Sequence, residues 1–172
     1  MSEIRFRNAA AADAAALASL GRRTFTESFG HLYTRENLAT FLLNHSEEPW
    51  AEELADPEFA VRVAEADGAF VAYAKLGPPT LPFEPRGSSL ELRQFYLLKP
   101  WHGRGVSQEL MRWVIEEAKS RGAEDLYLSV FVDNHRAGRF YERNGFECVG
   151  KCAFMVGSQA DEDHIMRLEL GA

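Results

Sequence analysis

Cysteine is scarce in this sequence, which also has no long apolar run and no dense cluster of basic residues. Its 172 residues include two cysteines, Cys148 and Cys152. Two cysteines with apolar flanks indicate buried free thiols rather than a disulfide framework. A lone Cys-x-x-x-Cys without further Cys or His ligands is poor evidence for zinc, so we expect no metal site.

The missing apolar runs bear on location. The longest fall well short of the about 18 residues that a membrane-spanning helix needs. The first residues, Met1 to Arg5, show no basic stretch followed by an apolar one, so no secretory signal is indicated. We therefore expect a cytoplasmic protein without a membrane partner.

The charge balance is acidic, with 26 Asp and Glu against 19 Lys and Arg and a formal net charge of −7. Nucleic-acid-binding proteins usually carry a basic patch, and none is visible, so we expect no nucleic-acid partner. The negative charge either attracts a cationic substrate or only keeps the protein soluble, and composition leaves both interpretations open.

The order of apolar patterns predicts one mixed α/β domain over residues 1–172, with a central sheet of six or seven strands flanked by helices. Strand patterns cover 3–7, 59–66, 69–76, 89–98, 125–132, 146–156 and 164–170. Helical patterns cover an Ala-rich stretch after Asn8 with Gly21 near its end, then 34–43, a short stretch from Ser46, 106–121 and 135–143. Residues 157–163 are expected to form a polar loop. Residues 77–87 contain four prolines and predict a loop long enough to act as a mobile flap.

The turn from Lys99 to Ser107 lies directly between a predicted strand and a predicted helix. A glycine-rich turn that opens into a helix leaves backbone N–H groups without partners, and these groups suit phosphates. Gly103 and Gly105 permit close backbone approach and positive φ. By itself, however, a Gly-x-Gly turn fits a simple chain reversal equally well.

A second motif follows the next predicted strand: Asn134-x-x-Ala137-x-x-Phe140-Tyr141-x-x-Asn144-Gly145-Phe146. Together, the two motifs and the order of elements resemble the GNAT superfamily of acetyl-CoA-dependent N-acetyltransferases. The resemblance implies the GNAT fold, acetyl-CoA as cosubstrate and direct acetyl transfer to a primary amine. Residues 24–29, Tyr96 and the stretch 156–166 further resemble a bacterial subgroup that acetylates polyamines.

The resemblance also implies which residues bind the cofactor. Residues 95–97 would lie where two central strands separate, with backbone groups toward pantetheine and the thioester oxygen. Residues 102–107 would hold the pyrophosphate, and Asn134 would contact the pantetheine arm or cap a helix. The implied cofactor-binding set is Phe95, Tyr96, Leu97, His102, Gly103, Arg104, Gly105, Val106, Ser107, Asn134 and Tyr141.

Two residues depart from the family pattern. His102 stands where Gln or Arg is usual, and Ser107 where a third Gly or Ala is usual. His102 either donates to a phosphate oxygen or is simply exposed. Ser107 is small enough to keep the helix N-terminus accessible. Neither change should abolish binding, because backbone N–H groups do most of it.

Two residues are the catalytic candidates. Tyr141 matches the family's general acid, and a phenol with a pKa near 10 is protonated at neutral pH. The alternative is a tyrosine that only packs against the sheet. Glu91 has the spacing of a strand glutamate that acts as general base in some members, but it also fits a solvated strand face. Glu27 and His31 are rival bases, and an amine can also lose its proton to solvent.

The acceptor side is expected along the first helices. Phe25, Glu27, Phe29 and His31 are the candidate substrate-binding residues, although aromatic residues at such spacing also occur in cores. We expect a small-molecule amine, with a polyamine such as spermidine or spermine as first choice, and a homodimer remains open. The alternatives are an N-acetyltransferase for a protein N-terminus, an amino acid or an antibiotic, and a non-catalytic acyl-CoA-binding regulator.

Overall fold

The structure is a computed structural model that describes residues 3–171. Its strands are β1 (Ile4–Asn8), β2 (Ala60–Ala66), β3 (Ala69–Gly77), β4 (Ser89–Leu97), β5 (Asp125–Phe131), β6 (Glu147–Val156) and β7 (Gln159–Glu169). Its α-helices are α1 (Ala14–Phe29), α2 (Arg35–Leu42), α3 (Glu47–Ala55), α4 (Val106–Ser120) and α5 (His135–Arg143).

The seven strands form one mixed sheet in the order β1-β2-β3-β4-β5-β7-β6. All neighbouring pairs are antiparallel except β4 and β5, which are parallel. The sheet and its flanking helices confirm the predicted fold, at the upper end of the expected strand number.

Helices cover both faces of the sheet. Successive residues of a strand point to opposite faces, and on β3 Tyr73 packs with α1 and α3 whereas Ala74 packs with α4. The α1/α3 side buries Leu17 and Trp50. The amphipathic patterns of these helices are therefore explained by burial against a two-sided sheet.

The first helix is longer than predicted, because Gly21 does not end it. α1 runs on to Phe29, and Gly21 is buried against β3. A Cβ at Gly21 would lie 3.0 Å from the Tyr73 hydroxyl and 3.2 Å from His45 Nδ1. This glycine therefore permits close packing rather than a helix end.

The predicted polar loop 157–163 is wrong. β6 and β7 are joined by a two-residue turn at Gly157 and Ser158, and β7 already begins at Gln159. The run 159–163 is polar because it belongs to a strand that is half exposed and half directed at a cavity, as described below. Polarity therefore indicated a loop where the backbone is extended.

The proline-rich segment 77–87 is a loop, but internal bonds attach it to the sheet. Thr80 donates its N–H and its hydroxyl to Glu91 Oε1 at 2.7 and 3.0 Å. Arg86 forms an ion pair with Asp125 at 2.8 Å, and the ring of Phe83 packs on that of Tyr127. None of its residues lines the large cavity described below. This loop therefore does not form a flap over that cavity.

The two cysteines differ in their exposure to solvent. Cys148 is exposed and Cys152 half-buried, so the prediction that both are buried is wrong for Cys148, which lies on the edge strand β6. Within residues 3–171, no helix is both long and apolar enough to cross a membrane.

Candidate active site

A cavity of about 730 Å³ opens where β4 and β5 separate. The two strands pair only from Ser89–Asp125 to Glu91–Tyr127. Just beyond this point β4 has one extra residue, Arg93, because Lys75 pairs with Gln94 whereas Leu76 pairs with Leu92. Such a bulge bends and twists a strand. The facing edges of both strands therefore lack each other as hydrogen-bond partners and line the cavity instead.

One end of the cavity is formed by the turn before α4. Gly103 and Gly105 have φ values of +75° and +81°, and a Cβ on either would meet nothing within 4 Å. Gly105 is the N-cap of α4, and no side chain caps that helix. The first N–H groups of a helix have no intrahelical acceptor. The turn thus offers an open set of backbone donors at the positive end of a fifteen-residue helix, which fits a pyrophosphate.

His102 has neither of the two roles considered for it. Its ring is half-buried, with Nε2 donating to the Leu97 carbonyl at 3.2 Å and Nδ1 accepting from Arg136 Nη1 at 2.7 Å. An arginine only donates, which assigns the proton to Nε2. Burial and then the charge of Arg136 lower the pKa of His102, so the ring is neutral at pH 7. It therefore holds Arg136, which also lines the cavity.

The remaining residues of the turn contribute in different ways. Ser107 lines the cavity together with Gly103. The side chain of Val106 is 1% exposed and packs in the core, so only its backbone can meet a ligand. The guanidinium of Arg104 lies over the ring of Trp101, 5.1 Å from its centroid, and Arg104 is outside the cavity lining.

Asn134 has the helix-capping role and also lies at the cavity. Its side-chain oxygen accepts from the Ala137 N–H at 3.4 Å, at the start of α5. The same residue lines the cavity, close in sequence to Arg136. The two roles considered for Asn134 are therefore compatible.

Tyr141 of α5 is buried, with 8% of its surface exposed, and lines the cavity. Its ring is surrounded by Phe95, Phe140 and Phe146 at centroid distances of 6.3, 5.6 and 5.8 Å. Burial and then the neighbouring Tyr96 raise the pKa of the Tyr141 phenol above its usual value. The hydroxyl therefore stays protonated over the whole physiological pH range.

The opposite end of the cavity is aromatic. Phe25 stacks on Phe41 and Tyr33 at centroid distances of 4.3 and 6.0 Å, and it lies 5.3 Å from Phe29. Phe25, Phe29 and the exposed His31 all line the cavity, as does Tyr33. Phe25 is 2% exposed and yet borders the cavity, so a buried position in the protein and a position at the cavity wall occur together in this residue.

Two carboxylates that were predicted to act in the site, those of Glu27 and Glu91, lie outside the cavity lining. Glu27 accepts from the Lys99 N–H at 3.4 Å and pairs with Arg23 at 3.5 Å. Glu91 is buried, and its carboxylate accepts both hydrogen bonds from Thr80. Glu91 is therefore neither on a solvated face nor free to meet an acceptor. It fixes the loop 77–87 to β4.

Two aspartates of β7 line the cavity and were missed from the sequence. Asp161 accepts from the Tyr33 hydroxyl and from Gln159 Nε2, the latter at 3.0 Å. Asp163 is 5% exposed, and burial together with Asp161 raises its pKa to about 6, although a hydrogen bond from Ser129 opposes the shift. The signal that could have revealed them is the alternation of Asp161 and Asp163 on one strand face.

Comparisons with known proteins agree with this geometry. The model of the acetyltransferase (GNAT) family matches residues 16–146. An uncharacterized N-acetyltransferase of Mycobacterium tuberculosis is 35% identical over 159 residues, which cover 92% of this chain and 98% of that protein. The L-amino acid N-acetyltransferase AaaT of Escherichia coli is 33% identical over 129 residues, covering 72% and 78%.

A solved structure has the same fold. The crystal structure of PaiA N-acetyltransferase from Thermoplasma acidophilum in complex with coenzyme A superposes with a TM-score of 0.79 at 20% identity, covering 97% of this chain and 99% of that one. The structure of this chain shows a sheet that splits between β4 and β5 and a glycine turn before α4. The family model and the full-length relative point to the same family. This chain belongs to the GNAT family and is an acetyl-CoA-dependent N-acetyltransferase.

Proposed function

We propose that this enzyme transfers acetyl from acetyl-CoA to a small cationic primary amine, with a polyamine as first choice. The observation that supports this acceptor class is the pair of carboxylates at the aromatic end of the cavity. Within residues 3–171 neither Asp161 nor Asp163 forms an ion pair with a basic side chain of the protein. Carboxylates without a protein cation attract an ammonium group.

The cofactor phosphates are proposed to bind at the other end of the cavity, away from the two carboxylates. Arg136, held by the neutral ring of His102, lies beside the glycine turn, where its positive charge favours phosphates. The turn at residues 102–107 would bind the pyrophosphate through backbone N–H groups, and Asn134 would contact the pantetheine arm. The resulting separation of charge orients the two substrates toward each other across the split between β4 and β5.

At the centre of the cavity, the chain would act on the thioester through β4 and α5. Bound acetyl-CoA supplies the acetyl group as an activated thioester. Backbone N–H groups at residues 95–97 are proposed to bind the thioester oxygen, an interaction typically worth about 3 kcal/mol in the transition state. Tyr141 is proposed to donate its proton to the departing thiolate, in line with a phenol that remains protonated.

A panel of amines tests this function. Release of coenzyme A thiol is followed with spermidine, spermine, lysine, an aminoglycoside and a peptide with a free N-terminus. We expect kcat/KM for spermidine or spermine to exceed that for lysine at least tenfold. Preference for lysine or other amino acids would contradict the polyamine and favour the activity named for the E. coli relative. Tight acetyl-CoA binding with no amine-dependent release would indicate a non-catalytic regulator.

A further inference from the structure

Asp163 is placed by strand register at the inner wall of the cavity. On β7 it lies opposite Phe131 of β5 and Cys152 of β6. Because paired residues of antiparallel strands share a face, Asp163 points to the same side as Phe131, which also lines the cavity. With 5% of its surface exposed, the carboxylate is buried in the protein yet borders the space where an acceptor would bind.

The groups that face Asp163 come from every neighbouring element. The hydroxyl of Ser129, on β5, favours the charged form of Asp163 and so lowers its pKa. The other titratable or charged neighbours are Asp161 of β7, Tyr33 after α1, Tyr96 of β4 and Cys152 of β6, with Glu91 near Cys152. No basic side chain contributes to the electrostatics of Asp163 within the described part of the chain. The carboxylate therefore has a neutral hydroxyl and no cation among the groups that stabilise its charge, which leaves it free to accept a proton.

We propose that Asp163 is the general base of the acetyl transfer and accepts the proton that leaves the acceptor nitrogen. This inference rests on the proposed function. In the balanced step, the nitrogen–carbon bond to the acetyl group forms and the carbon–sulfur bond of the thioester breaks. The proton lost by nitrogen goes to Asp163, and the sulfur leaves as the thiol with the proton of Tyr141.

The position of Asp163 relative to Tyr141 suits this division of work. The negative charge of Asp163 raises the pKa of Tyr96, and Tyr96 in turn raises that of Tyr141, so Tyr96 neighbours both residues. The base then lies on the β7 side of the cavity and the acid on the α5 side. Titratable groups whose environments separate their pKa values in one cavity are typical of acid–base pairs.

The other candidate bases are bonded to other groups, outside the cavity lining or exposed to solvent. Asp161 already accepts from Tyr33 and Gln159. Glu91 is bonded to Thr80 and lies outside the cavity lining, and His31 is exposed at the cavity mouth. A carboxylate with a pKa of about 6 is ionised at pH 7 and is a stronger base than an ordinary aspartate.

The test compares the wild type with Asp163→Asn, using spermidine and acetyl-CoA. Values of kcat/KM are measured from pH 5 to 9 and expressed per concentration of neutral amine, which removes the ionisation of the acceptor. The wild type should lose activity below about pH 6. Asp163→Asn should be about 100-fold slower and should lack that acidic limb, because an amide accepts no proton. Its Kd for acetyl-CoA should stay within twofold, which also shows that it is folded.

Two variants accompany the test. Asp161→Asn should retain the limb but move it to lower pH, because the charge of Asp161 raises the pKa of Asp163. Asp163→Glu should recover part of kcat, since it restores a carboxylate. If the wild type is active and Asp163→Asn keeps both the wild-type rate and the acidic limb of the pH profile, Asp163 is not the general base. The proposed function would then still stand. A higher KM with unchanged kcat would overturn the inference too, because it would make Asp163 only an anchor. A wild type inactive with every amine would overturn both proposals.

Discussion

At the scale of single residues, the proposed role of Tyr141 as general acid belongs to its hydroxyl and not to its ring. The ring packs among three phenylalanines, and a Tyr141→Phe variant keeps that packing. We expect kcat to fall by about 100-fold, the usual contribution of a general acid. Acetyl-CoA affinity, measured by calorimetry, should change less than twofold.

Tyr127 provides the matched control for Tyr141. Its hydroxyl is buried and, within residues 3–171, has no hydrogen-bond partner. Tyr127→Phe therefore removes an unsatisfied polar atom and should leave both kcat and the free energy of unfolding unchanged or slightly improved. Equal losses of kcat in the two variants would mean that Tyr141 does not act as the acid.

The burial of Asp163 has a consequence for stability that is separate from catalysis. Its pKa is about 6 in the folded protein against 3.8 for an ordinary aspartate, so the native state binds the proton more tightly than the unfolded chain. Wild-type stability therefore falls, through this group, as pH rises from about 4 to 6, and the loss persists above pH 6. Asp163→Asn avoids this loss.

We expect the free energy of unfolding of Asp163→Asn to exceed that of the wild type by about 1 to 3 kcal/mol at pH 7.5, since one pKa unit corresponds to about 1.4 kcal/mol. The advantage should shrink toward zero near pH 4. Urea unfolding at the two pH values measures both differences. An Asn variant that is less stable at pH 7.5 would show that the carboxylate is stabilised by its surroundings.

Asp163 also shows which kind of site residue the sequence does not reveal at this scale. Tyr141 and the glycines lie in local motifs with fixed spacing, so they could be predicted. Asp163 becomes significant only through register, which places it beside Ser129 and Phe131 of a strand more than thirty residues earlier. No local pattern contains that partnership. Similarly, the bond between His102 and Arg136 joins a turn to a different helix.

At the scale of elements, the glycine turn before α4 allows a controlled test of cofactor binding. Gly105 and Gly122 lie at the two ends of α4, both with φ of +81° and both with no atom within 4 Å of an added Cβ. Alanine at either position should cost about 1 kcal/mol of stability, because L residues disfavour this conformation. Only Gly105→Ala should also weaken acetyl-CoA binding, about tenfold or more, since its Cβ projects where the phosphates approach. Equal affinities in the two variants would contradict a pyrophosphate site at this turn.

Gly21 and Gly138 form a second pair, both inside helices. Alanine has the higher helix propensity by about 1 kcal/mol, so Gly138→Ala, with open space around it, should be stabilised by up to that amount. At Gly21 the added Cβ meets the Tyr73 hydroxyl at 3.0 Å and His45 at 3.2 Å, and both residues are buried. We expect Gly21→Ala to lose about 1 to 3 kcal/mol in urea unfolding, the usual cost of overpacking. A more stable Gly21→Ala would mean that Tyr73 and His45 can move.

The same glycine shows why element bounds were predicted less well than element order. Periodicity indicated the first helix, but Gly21 is as typical of a helix end as of close packing, and only the buried neighbours decide between them. The polar pattern of Gln159 to Asp163 is ambiguous in a similar way, because it predicts a loop although the segment belongs to a strand. Polarity reports exposure to water, and a cavity that holds a polar ligand leaves the same polar pattern on a strand.

At the scale of the whole molecule, the sequence predicted the mixed sheet and the use of acetyl-CoA, because both follow from two motifs and the order of elements. The proposed acceptor half is spread over α1, β6 and β7, which come together only in the folded sheet. Its carboxylates could not be assigned from spacing. For the same reason, the sequence could not decide whether the loop 77–87 covers the cavity, since its attachments to Glu91 and Asp125 are tertiary contacts.

The net charge of −7 gives a prediction for the whole molecule together with its cavity. A negatively charged protein raises the local concentration of cations and accelerates their encounter, and salt screens this attraction. For spermine we expect kcat/KM to fall about tenfold between 20 mM and 500 mM NaCl, with kcat nearly constant. Butylamine, which carries a single charge, is the matched control and should lose at most about threefold. Parallel salt dependences for the two amines would show that the negative charge serves solubility and not the acceptor.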